Sequence, residues 1–512
     1  MSYQHLWTDL HSNIHHNQMD ELDRWCEHAR EVLDFWPIAY YPMYMRRNEA
    51  GAPLEDLYPE DKIQADWEQV RQTVKRINAE GWPMFMGYEW QGCGHDGDHN
   101  VFFLDNEQPM LHPMEYRQLR DAYSGTEAIA IPHHVAYQLG SRGKNWDTHD
   151  ERFSPFAEIY SSHGCSENDT GPWDMERHLH MGPRTGETCY ERGLERGLKV
   201  GCIASGDNHN VPAACDHGIM CVLAEGTSKE QIWEGLRAGR VYGVSRTRMK
   251  IDYTISGVPM GGTVAPGEHE LNVQIEAADA IDRVELLRDN IVDEVAVHSG
   301  TWEREPLPQD QPFRIKFAVE FGWGPNPRFF KEHVKKRWHG RLEVPGKLIS
   351  VEKCWNSFGQ RLYNVTEDSC EFDMTTYMST DTGHWMGPST VKKEGFVFEA
   401  QVKLDDVIRL TVDGTLYEMP VRKMLHTGKV YAQYQESEAL CRATFGDIEH
   451  YRDDLIWHSA HKIRVRQAVP QAAYTMQIKR KVSLSHGSQY RLRVWLRNGD
   501  TAWVSPIFCR EN

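Results

Sequence analysis

The sequence predicts an α/β region at residues 1–245 and a β-rich, sandwich-like region at residues 246–512. Up to residue 245, short apolar runs alternate with amphipathic stretches, which is typical of βα units around a parallel sheet. Beyond it, alternating strand patterns follow one another with Gly, Asn and Asp turns between them, for example at residues 249–255 and 396–402. We therefore expect at least two domains, the first built around a parallel sheet.

Three amphipathic helices are predicted in the α/β region. The first has an acidic first turn and an apolar stripe from Leu22 to Leu33. The second covers residues 60–80 and ends at Gly81. The third covers residues 228–238 and closes the region.

Six strands are predicted between these helices, at residues 5–10, 35–40, 83–88, 128–131, 157–160 and 200–205. Most of them end in a side chain that can bind a metal or move a proton. These side chains are His11, Tyr41, Glu89, His133, His134, His163, Asp207 and His209, and Glu158 lies inside its own strand. Because the carboxyl ends of parallel strands converge on the active site, we expect these residues to form one cluster.

The composition excludes several classes of function. Lys and Arg number 57 against 75 Asp and Glu, and the net charge of −18 disfavours nucleic acid and anionic membranes as partners. No apolar run reaches the roughly 20 residues of a membrane helix, and the N-terminus lacks the pattern of a signal peptide. We expect a cytoplasmic protein whose 11 cysteines, which include no CxxC pair, stay reduced.

Histidine is unusually frequent, with 26 copies, of which 16 lie between residues 5 and 217. Imidazole is the commonest metal ligand and the usual acid or base near neutral pH. His11 ends the first strand and His15 follows it closely. Asp207 and His209 follow a glycine turn, and such a pair of oxygen and nitrogen donors suits Zn, Mn or Fe. The spacing therefore predicts a metal site.

Signatures of other enzyme classes are absent from the sequence. It contains no GxxxxGK[ST] phosphate loop, no GxSxG elbow, no HExxH and no GxGxxG borne on a strand. Metal-dependent hydrolysis is therefore the enzyme chemistry that the residues favour.

The motifs resemble the PHP (polymerase and histidinol phosphatase) superfamily of metal-dependent hydrolases, most closely its DUF3604-like branch. The resemblance covers about residues 1–245. It rests on Asp9-Leu10-His11, Tyr88-Glu89-Trp90, Gly97-Asp98-His99-Asn100-Val101, Pro132-His133, Glu158-Ile159-Tyr160-Ser161 and Ser205-Gly206-Asp207-Asn208-His209. It implies a distorted (β/α)7 barrel that holds up to three divalent metals and uses a metal-activated water to cleave a phosphoester or related bond.

The resemblance also implies a set of metal ligands at the predicted strand ends. They are His11, Glu89 and Asp207 for a first metal, Glu89, His133 and Glu158 for a second, and His209 with His15 or His16 for a third. Two motifs depart from the family pattern. Asn13 stands where a second histidine is usual, and Tyr40 and Tyr41 stand where an Asp and a His are usual. Asn13 can offer only a neutral oxygen, so we expect a weakened third site and one or two divalent ions (Zn, Mn or Fe).

Four further side chains are candidates for acting on the substrate. His99 lies at the end of a glycine-rich loop and is expected to reach inward as a general acid or oxyanion donor. His134 and His163 are similar candidates at adjacent strand ends. Tyr41 is expected to stay protonated and to face the substrate, since a phenol has a pKa near 10.

The sequence thus predicts a metal-dependent hydrolase that cleaves a phosphodiester or an organic ester in a small molecule. Two alternatives stay open. One is a binding protein that keeps the pocket but has lost catalytic metals, and the other is a metal-dependent lyase that breaks a C–O bond. The presence of His11, Glu89, His133, Asp207 and His209 favours catalysis. The sequence names neither the substrate nor the oligomeric state.

Overall fold

The computed structural model of the chain describes most of its residues. The described ranges are 3–42, 60–171, 182–209, 218–298, 306–325, 329–333, 335–354, 358–377, 393–447 and 454–511, with residues 173, 175, 212 and 302. None of the helices in these ranges is both long and apolar enough to cross a membrane.

The first region alternates strands and helices. Its strands are β1 Gln4–Thr8, β2 Asn13–His15, β3 Trp36–Pro37, β4 Ala39–Tyr41, β5 Met84–Trp90, β6 His99–Phe103, β7 Ala128–Pro132, β8 Phe156–Ser161, β9 Gly164–Cys165, β10 Gly201–Ala204, β11 Ile219–Ala224 and β12 Val241–Val244. Its α-helices are α1 Leu22–Val32, α2 Glu60–Ala79, α3 Tyr116–Ala122, α4 Tyr190–Glu195 and α5 Lys229–Arg237.

The three predicted helices are confirmed as α1, α2 and α5. The apolar stripe of α1 is buried, and its Trp25 stacks on Trp36 with ring centroids 6.2 Å apart. Helix α2 ends just before Gly81, which has a φ of +87° and so adopts the left-handed conformation that ends a helix. Ser228 caps α5 by accepting a hydrogen bond from the backbone of Gln231.

The predicted parallel sheet is only partly present. Strands β2, β4 and β5 run parallel, but β6 runs antiparallel to both β5 and β7. Strands β8 and β10 are parallel neighbours in a second sheet, and β1 pairs antiparallel with β11 in a third. Across the described residues these strands form no closed barrel. The region is therefore mixed α/β, and the expected (β/α)7 barrel is not observed.

Strand β6 explains much of this difference, and it is not among the predicted strands. Parallel neighbours need a crossover of about a dozen residues or more, whereas residues 91–98 alone connect β5 to β6. Gly92, Gly94 and Gly97 have φ values of +55°, +80° and +81° in this connection. The chain therefore turns back on itself and pairs antiparallel with β5.

The second region is rich in strands, as the alternating patterns predict. Its strands are β13 Lys250–Ile255, β14 Val258–Pro259, β15 Thr263–Val264, β16 Gly267–Glu276, β17 Ile281–Arg288, β18 Ile291–Val297, β19 Phe313–Trp323, β20 Lys335–Glu343, β21 Lys347–Cys354, β22 Arg361–Tyr363, β23 Ser369–Tyr377, β24 Lys393–Val402, β25 Val407–Val412, β26 Thr415–Pro420, β27 Lys429–Ala432, β28 His461–Val465, β29 Val469–Pro470, β30 Thr475–Leu484, β31 Gln489–Leu496 and β32 Thr501–Cys509. Its helices are α6 Val421–Met424, α7 Tyr434–Phe445, α8 Asp454–Ser459 and α9 Gln471–Tyr474.

Two of these sheets pack face to face. One has the order β21-β24-β19-β28-β27 and the other β22-β23-β20-β25-β26. Aromatic side chains fill the space between them, with Phe321 against Trp338 at 5.4 Å and Phe372 against Phe396 at 4.6 Å between ring centroids. This layered arrangement of two sheets is a sandwich.

The last strand returns to the first region. β32 pairs antiparallel with β12, β12 pairs with β11, and β11 pairs with β1. Buried ion pairs reinforce the return, because Arg491 contacts Glu167 and Glu191, and Arg493 contacts Glu167 at 3.1 Å. The domain boundary at residue 245 therefore stays a prediction, and strands from both sides of it share one sheet.

Candidate metal centre

Asp9 joins the loop after β1 to the loop after β10. Its Oδ1 accepts hydrogen bonds from the backbone N–H groups of His11, at 3.0 Å, and Gly206, at 2.9 Å, and its Oδ2 accepts one from Ser12 Oγ. Asp9 is fully buried. It therefore holds the two loops that carry His11 and Asp207 against each other.

Six buried side chains converge at these strand ends. They form three overlapping groups, in each of which one ligand atom per residue lies within 4.8 Å of the others. The groups are His11, Glu89 and His133; His133, His134 and Asp207; and His11, Glu158 and Asp207. Because the groups share members, they form one continuous cluster, which we call the metal centre.

His11 lies in the middle of the metal centre, surrounded by carboxylates. Its Nδ1 is 2.7 Å from Glu158 Oε2, and its Nε2 is 3.2 Å from Asp207 Oδ1 and 3.5 Å from Glu89 Oε2. Burial lowers the pKa of His11, but the charges of Asp207 and Glu158 outweigh it and hold that pKa well above 6.5. Without an ion, a proton on His11 thus supplies the cation that the carboxylates attract.

His133 and His134 have ring nitrogens ready to bind an ion. Both residues are buried. Among the described residues, the two ring nitrogens of His133 and Nδ1 of His134 have no hydrogen-bond partner. Burial, followed by the charges of neighbouring histidines, lowers the pKa of both well below 6.5. They are therefore neutral at physiological pH, which is the protonation state that a metal ligand requires.

Two residues of the metal centre have an unusual backbone conformation. His134 has a φ of +36° and Asp207 a φ of +44°, values that residues other than glycine seldom adopt. Such positions cost free energy and cluster at functional sites.

The donor atoms fit a divalent transition metal. Imidazole nitrogens and carboxylate oxygens are the mixed donors that Zn, Mn and Fe accept. The spacing of 3.2 Å between His11 Nε2 and Asp207 Oδ1 matches two ligands that share one ion at roughly 2.0–2.2 Å from each. The residues could thus hold an ion without large rearrangement.

Glu89 is oriented by two amide side chains. Asn13 Nδ2 donates to its Oε2 at 2.8 Å, and Gln91 Nε2 donates to its Oε1 at 2.9 Å. Gln91 Nε2 also donates to Tyr41 Oη at 2.7 Å. Asn13, a candidate ligand in the sequence, thus supports a ligand in this structure. Burial, with the charge of Glu89, raises the pKa of Tyr41, so its phenol stays protonated as expected.

His15 and His209 lie beside the metal centre rather than in it. His15 Nε2 is 2.5 Å from His209 Nδ1, and Tyr41 packs against both rings. His209 Nε2 lies 3.7 Å from Asp207 Oδ1. Neither histidine belongs to the three groups found among the described residues. Their predicted role in a third metal site stays a prediction.

His163 contacts Asp207 from the side opposite His11. Its Nε2 lies 2.9 Å from Asp207 Oδ2, and its Nδ1 lies 2.7 Å from Tyr137 Oη. If Nε2 carries the proton towards the carboxylate, Tyr137 donates to Nδ1. His163 therefore orients Asp207. Its expected role in acting on a substrate stays a prediction.

The structure places His99 outside the metal centre, whereas the sequence predicts that it reaches inward, so its role on a substrate stays a prediction. In the antiparallel pair of β5 and β6, His99 lies opposite Trp90, and Asn100 lies opposite Glu89. Directly opposed residues project from the same face, so Asn100 faces the metal centre and His99 the other side. There His99 stacks on Tyr116 with ring centroids 4.8 Å apart.

Two charged residues beside the metal centre are absent from the predicted set. Asp98 Oδ2 lies 3.7 Å from His134 Nε2 and 3.3 Å from Arg142 Nε. Burial raises the pKa of Asp98 to about 7, against the opposing charge of Arg142. Asp98 belongs to a motif that the sequence does show, next to His99. Arg142 lies in a loop without periodicity, and no sequence signal indicates it.

Comparisons with known proteins give weak similarities. No protein-family model matches the chain. An uncharacterized protein of Chlamydia pneumoniae is 24% identical over 242 residues, which is 43% of this chain and 38% of that relative, so the chain spans well under half of the relative's length. A crystal structure from Bacteroides vulgatus, of a two-domain protein containing a predicted PHP-like metal-dependent phosphoesterase, aligns with a TM-score of 0.32 and 12% identity over 81% of this chain and 95% of that chain. The assignment of function therefore rests on the geometry of the metal centre.

Proposed function

We propose that this protein is a metal-dependent hydrolase, related to the PHP superfamily, that cleaves an ester-type bond in a small molecule. One observation carries the proposal. His11, Glu89, His133, Glu158 and Asp207 meet in one buried cluster, in which neither ring nitrogen of His133 has a hydrogen-bond partner among the described residues. Buried polar atoms are normally satisfied, so such nitrogens mark places where an ion binds.

One or two divalent ions are the cofactor that we propose. The ligands would be His11, Glu89, His133, Glu158 and Asp207, with His134 also in reach. A bound divalent ion lowers the pKa of water and polarises the oxygen of a phosphoester or carboxylic ester.

The protein's own residues organise the rest of the site. Asn13 and Gln91 fix the two oxygens of Glu89, and His163 fixes Asp207 Oδ2. Tyr41 Oη accepts from Gln91, which leaves its own proton to donate towards a substrate. Side chains held in this way need little reorganisation when the substrate binds.

Metal analysis with a substrate panel tests the proposal. The protein is purified without chelator, its Zn, Mn and Fe content is measured, and aryl phosphodiesters, aryl phosphomonoesters and aryl carboxylic esters are assayed. We expect one or two ions per chain, and turnover that EDTA abolishes and metal restores. A content below about 0.2 ions per chain after incubation with each metal would overturn it. Full metal occupancy with binding but no turnover of any ester would instead indicate a binding protein.

A further inference from the structure

Arg142 is fixed in a tight loop at the edge of the metal centre. Its backbone N–H donates to Gly94 O at 3.2 Å, and the next residue, Gly143, donates to Gln138 O at 3.1 Å. A Cβ at Gly143 would lie 1.9 Å from Tyr137 O, so the loop is closely packed. Arg142 itself has a φ of +73°. A non-glycine residue held in the left-handed region indicates that the surroundings enforce its position.

The guanidinium group of Arg142 is only partly used. Its Nε lies 3.3 Å from Asp98 Oδ2. Within the described part of the chain, Nη1 and Nη2 have no ion-pair or hydrogen-bond partner, and the side chain is 30% exposed. Asp98 thus holds one edge of the guanidinium fork and leaves the terminal edge available.

Asp98 links Arg142 to the metal centre. Its Oδ2 lies 3.3 Å from Arg142 Nε and 3.7 Å from Nε2 of His134, which is a member of the metal centre. Gln91 links Tyr41 to the metal centre, since its Nε2 donates to both Tyr41 Oη and Glu89 Oε1. Arg142 and the Tyr41 hydroxyl are therefore two hydrogen-bond donors, one of them cationic, that each lie one contact away from a residue of the metal centre.

We propose that Arg142 is a specificity residue that binds a singly charged oxyanion of the substrate, of the phosphodiester type, next to the metal centre. The planar fork can donate two parallel hydrogen bonds to two oxygens of one anion. One guanidinium, with one edge already paired to Asp98, matches one negative charge better than the two charges of a phosphomonoester. This inference rests on the proposed hydrolase function and names its substrate class.

The test compares two substrates in three variants. Wild-type protein, Arg142→Met and Arg142→Lys, each loaded with Mn, are assayed with bis(4-nitrophenyl) phosphate, an anion, and with 4-nitrophenyl acetate, a neutral ester. We expect Arg142→Met to raise KM for the diester roughly ten- to hundredfold, since a hydrogen bond to a charged group is lost, with a clearly smaller effect on the neutral ester. Arg142→Lys keeps the charge without the fork and should give an intermediate KM.

Arg192→Met is the matched control, because it removes the same charge from an exposed guanidinium paired with Glu195. It should leave both substrates unchanged. A second measurement needs no turnover: calorimetric binding of dimethyl phosphate to the Mn-loaded protein should weaken in Arg142→Met by a similar factor.

The outcomes separate the two proposals. Hydrolysis by the wild-type protein with equal diester KM in wild type and Arg142→Met would overturn the role of Arg142 and leave the hydrolase standing. Absence of any turnover, with dimethyl phosphate binding that depends on Arg142, would overturn the hydrolase and leave the anion site standing. Metal content is measured in every variant, and a loss of metal in Arg142→Met would show that Arg142 supports the ligands instead.

Discussion

Asp207 holds two histidines at once. Its Oδ1 lies 3.2 Å from His11 Nε2, and its Oδ2 lies 2.9 Å from His163 Nε2. Burial raises the pKa of Asp207, but the charges of His11 and His163 outweigh it and hold that pKa well below 3.8. The carboxylate is therefore ionised at all physiological pH values and ready to bind a cation.

Asp207→Ala should impair both activity and metal binding while the fold persists. Activity should fall by about hundredfold or more and metal content should drop, because a ligand common to two of the three groups is removed. Elemental analysis, turnover and circular dichroism measure these effects. His209→Ala is the control and should be milder, since His209 lies outside the groups. Unchanged turnover in Asp207→Ala would mean that the cluster is not the active site.

Asp207→Asn separates charge from backbone strain. Asn tolerates the φ of +44° at this position, whereas Ala does so poorly. If the loss in Asp207→Ala is electrostatic, the Asn variant should lose activity as well.

Tyr41→Phe should change substrate kinetics more than metal content. Tyr41 is outside the three ligand groups, and the substitution removes its hydrogen bond with Gln91 and the donor that we propose for the substrate. We expect aryl esters or phosphodiesters to be turned over faster than the matching monoesters by wild type, and this preference to weaken in the variant. Steady-state kinetics and metal analysis of wild type and variant measure these effects. Loss of metal, or a wild-type preference for monoesters, would indicate a third metal site near His15 and His209.

Much of the metal centre could be predicted because its ligands follow strands. His11, Glu89, His133 and Asp207 do converge, as expected of strand ends, although their roles stay predictions. His99 could not be placed, because its orientation depends on the register of its strand with β5, and that strand is not among the predicted ones. Arg142 could not be found either, since its position depends on loop geometry that leaves no periodic pattern.

At the scale of elements, the helices were the most predictable parts. An apolar stripe, an acidic first turn and a terminal glycine are local signals, and they locate α1, α2 and α5 to within a few residues. Strand direction was not predictable, because a short glycine-rich connection reverses the chain into β6, a strand that is not among the predicted ones. Three separate sheets nevertheless bring the predicted strand ends together.

The joint between the loops after β1 and β10 can be tested with Asp9→Ala. Alanine removes the oxygen Oδ1 that accepts from the backbone N–H groups of both His11 and Gly206, and it leaves these buried donors without a partner. We expect a lower melting temperature and a metal affinity reduced roughly ten- to hundredfold, as for other residues that orient ligands. Isothermal titration with Mn measures the affinity.

Asp34→Ala is the matched control for this joint. Asp34 accepts a hydrogen bond from the backbone N–H of Trp7 at 2.7 Å, at the other end of the same segment. It should lower stability without changing metal affinity. Equal loss of metal affinity in both variants would show that the effect of Asp9 is general destabilisation.

At the scale of the whole molecule, the buried ion pairs between Glu167 and β31 connect distant parts of the chain. Glu167 also accepts a hydrogen bond from Trp503 Nε1 at 3.0 Å. Burial raises the pKa of Glu167, but Arg491 and Arg493 outweigh it and lower that pKa below 4.5. Its contribution to stability is therefore present above pH 4.5 and is lost as the pH falls through the lowered pKa.

Arg491→Met should destabilise the protein by about 3–5 kcal/mol at pH 7, since it leaves a buried carboxylate without its main partner. The difference from wild type should shrink below pH 4.5, where Glu167 is protonated more readily in the variant. Denaturant unfolding at both pH values measures this. Arg480→Met, at an exposed pair with Glu294, is the control and should cost about 0–1 kcal/mol. A constant difference across pH would contradict the assigned role of Glu167.

The pairing of β12 with β32 also sets an order of events during synthesis. The ribosome releases the ligands from His11 to Asp207 early, but the strand that covers β12 begins only at residue 501. At a synthesis rate of about 5–20 residues per second, the edge of β12 stays unpaired for roughly 10–50 s until β32 has been made. Exposed strand edges invite pairing with other chains. For most of its synthesis, the nascent chain thus carries the residues of the metal centre on an incomplete sheet. A chaperone would be needed most during this interval.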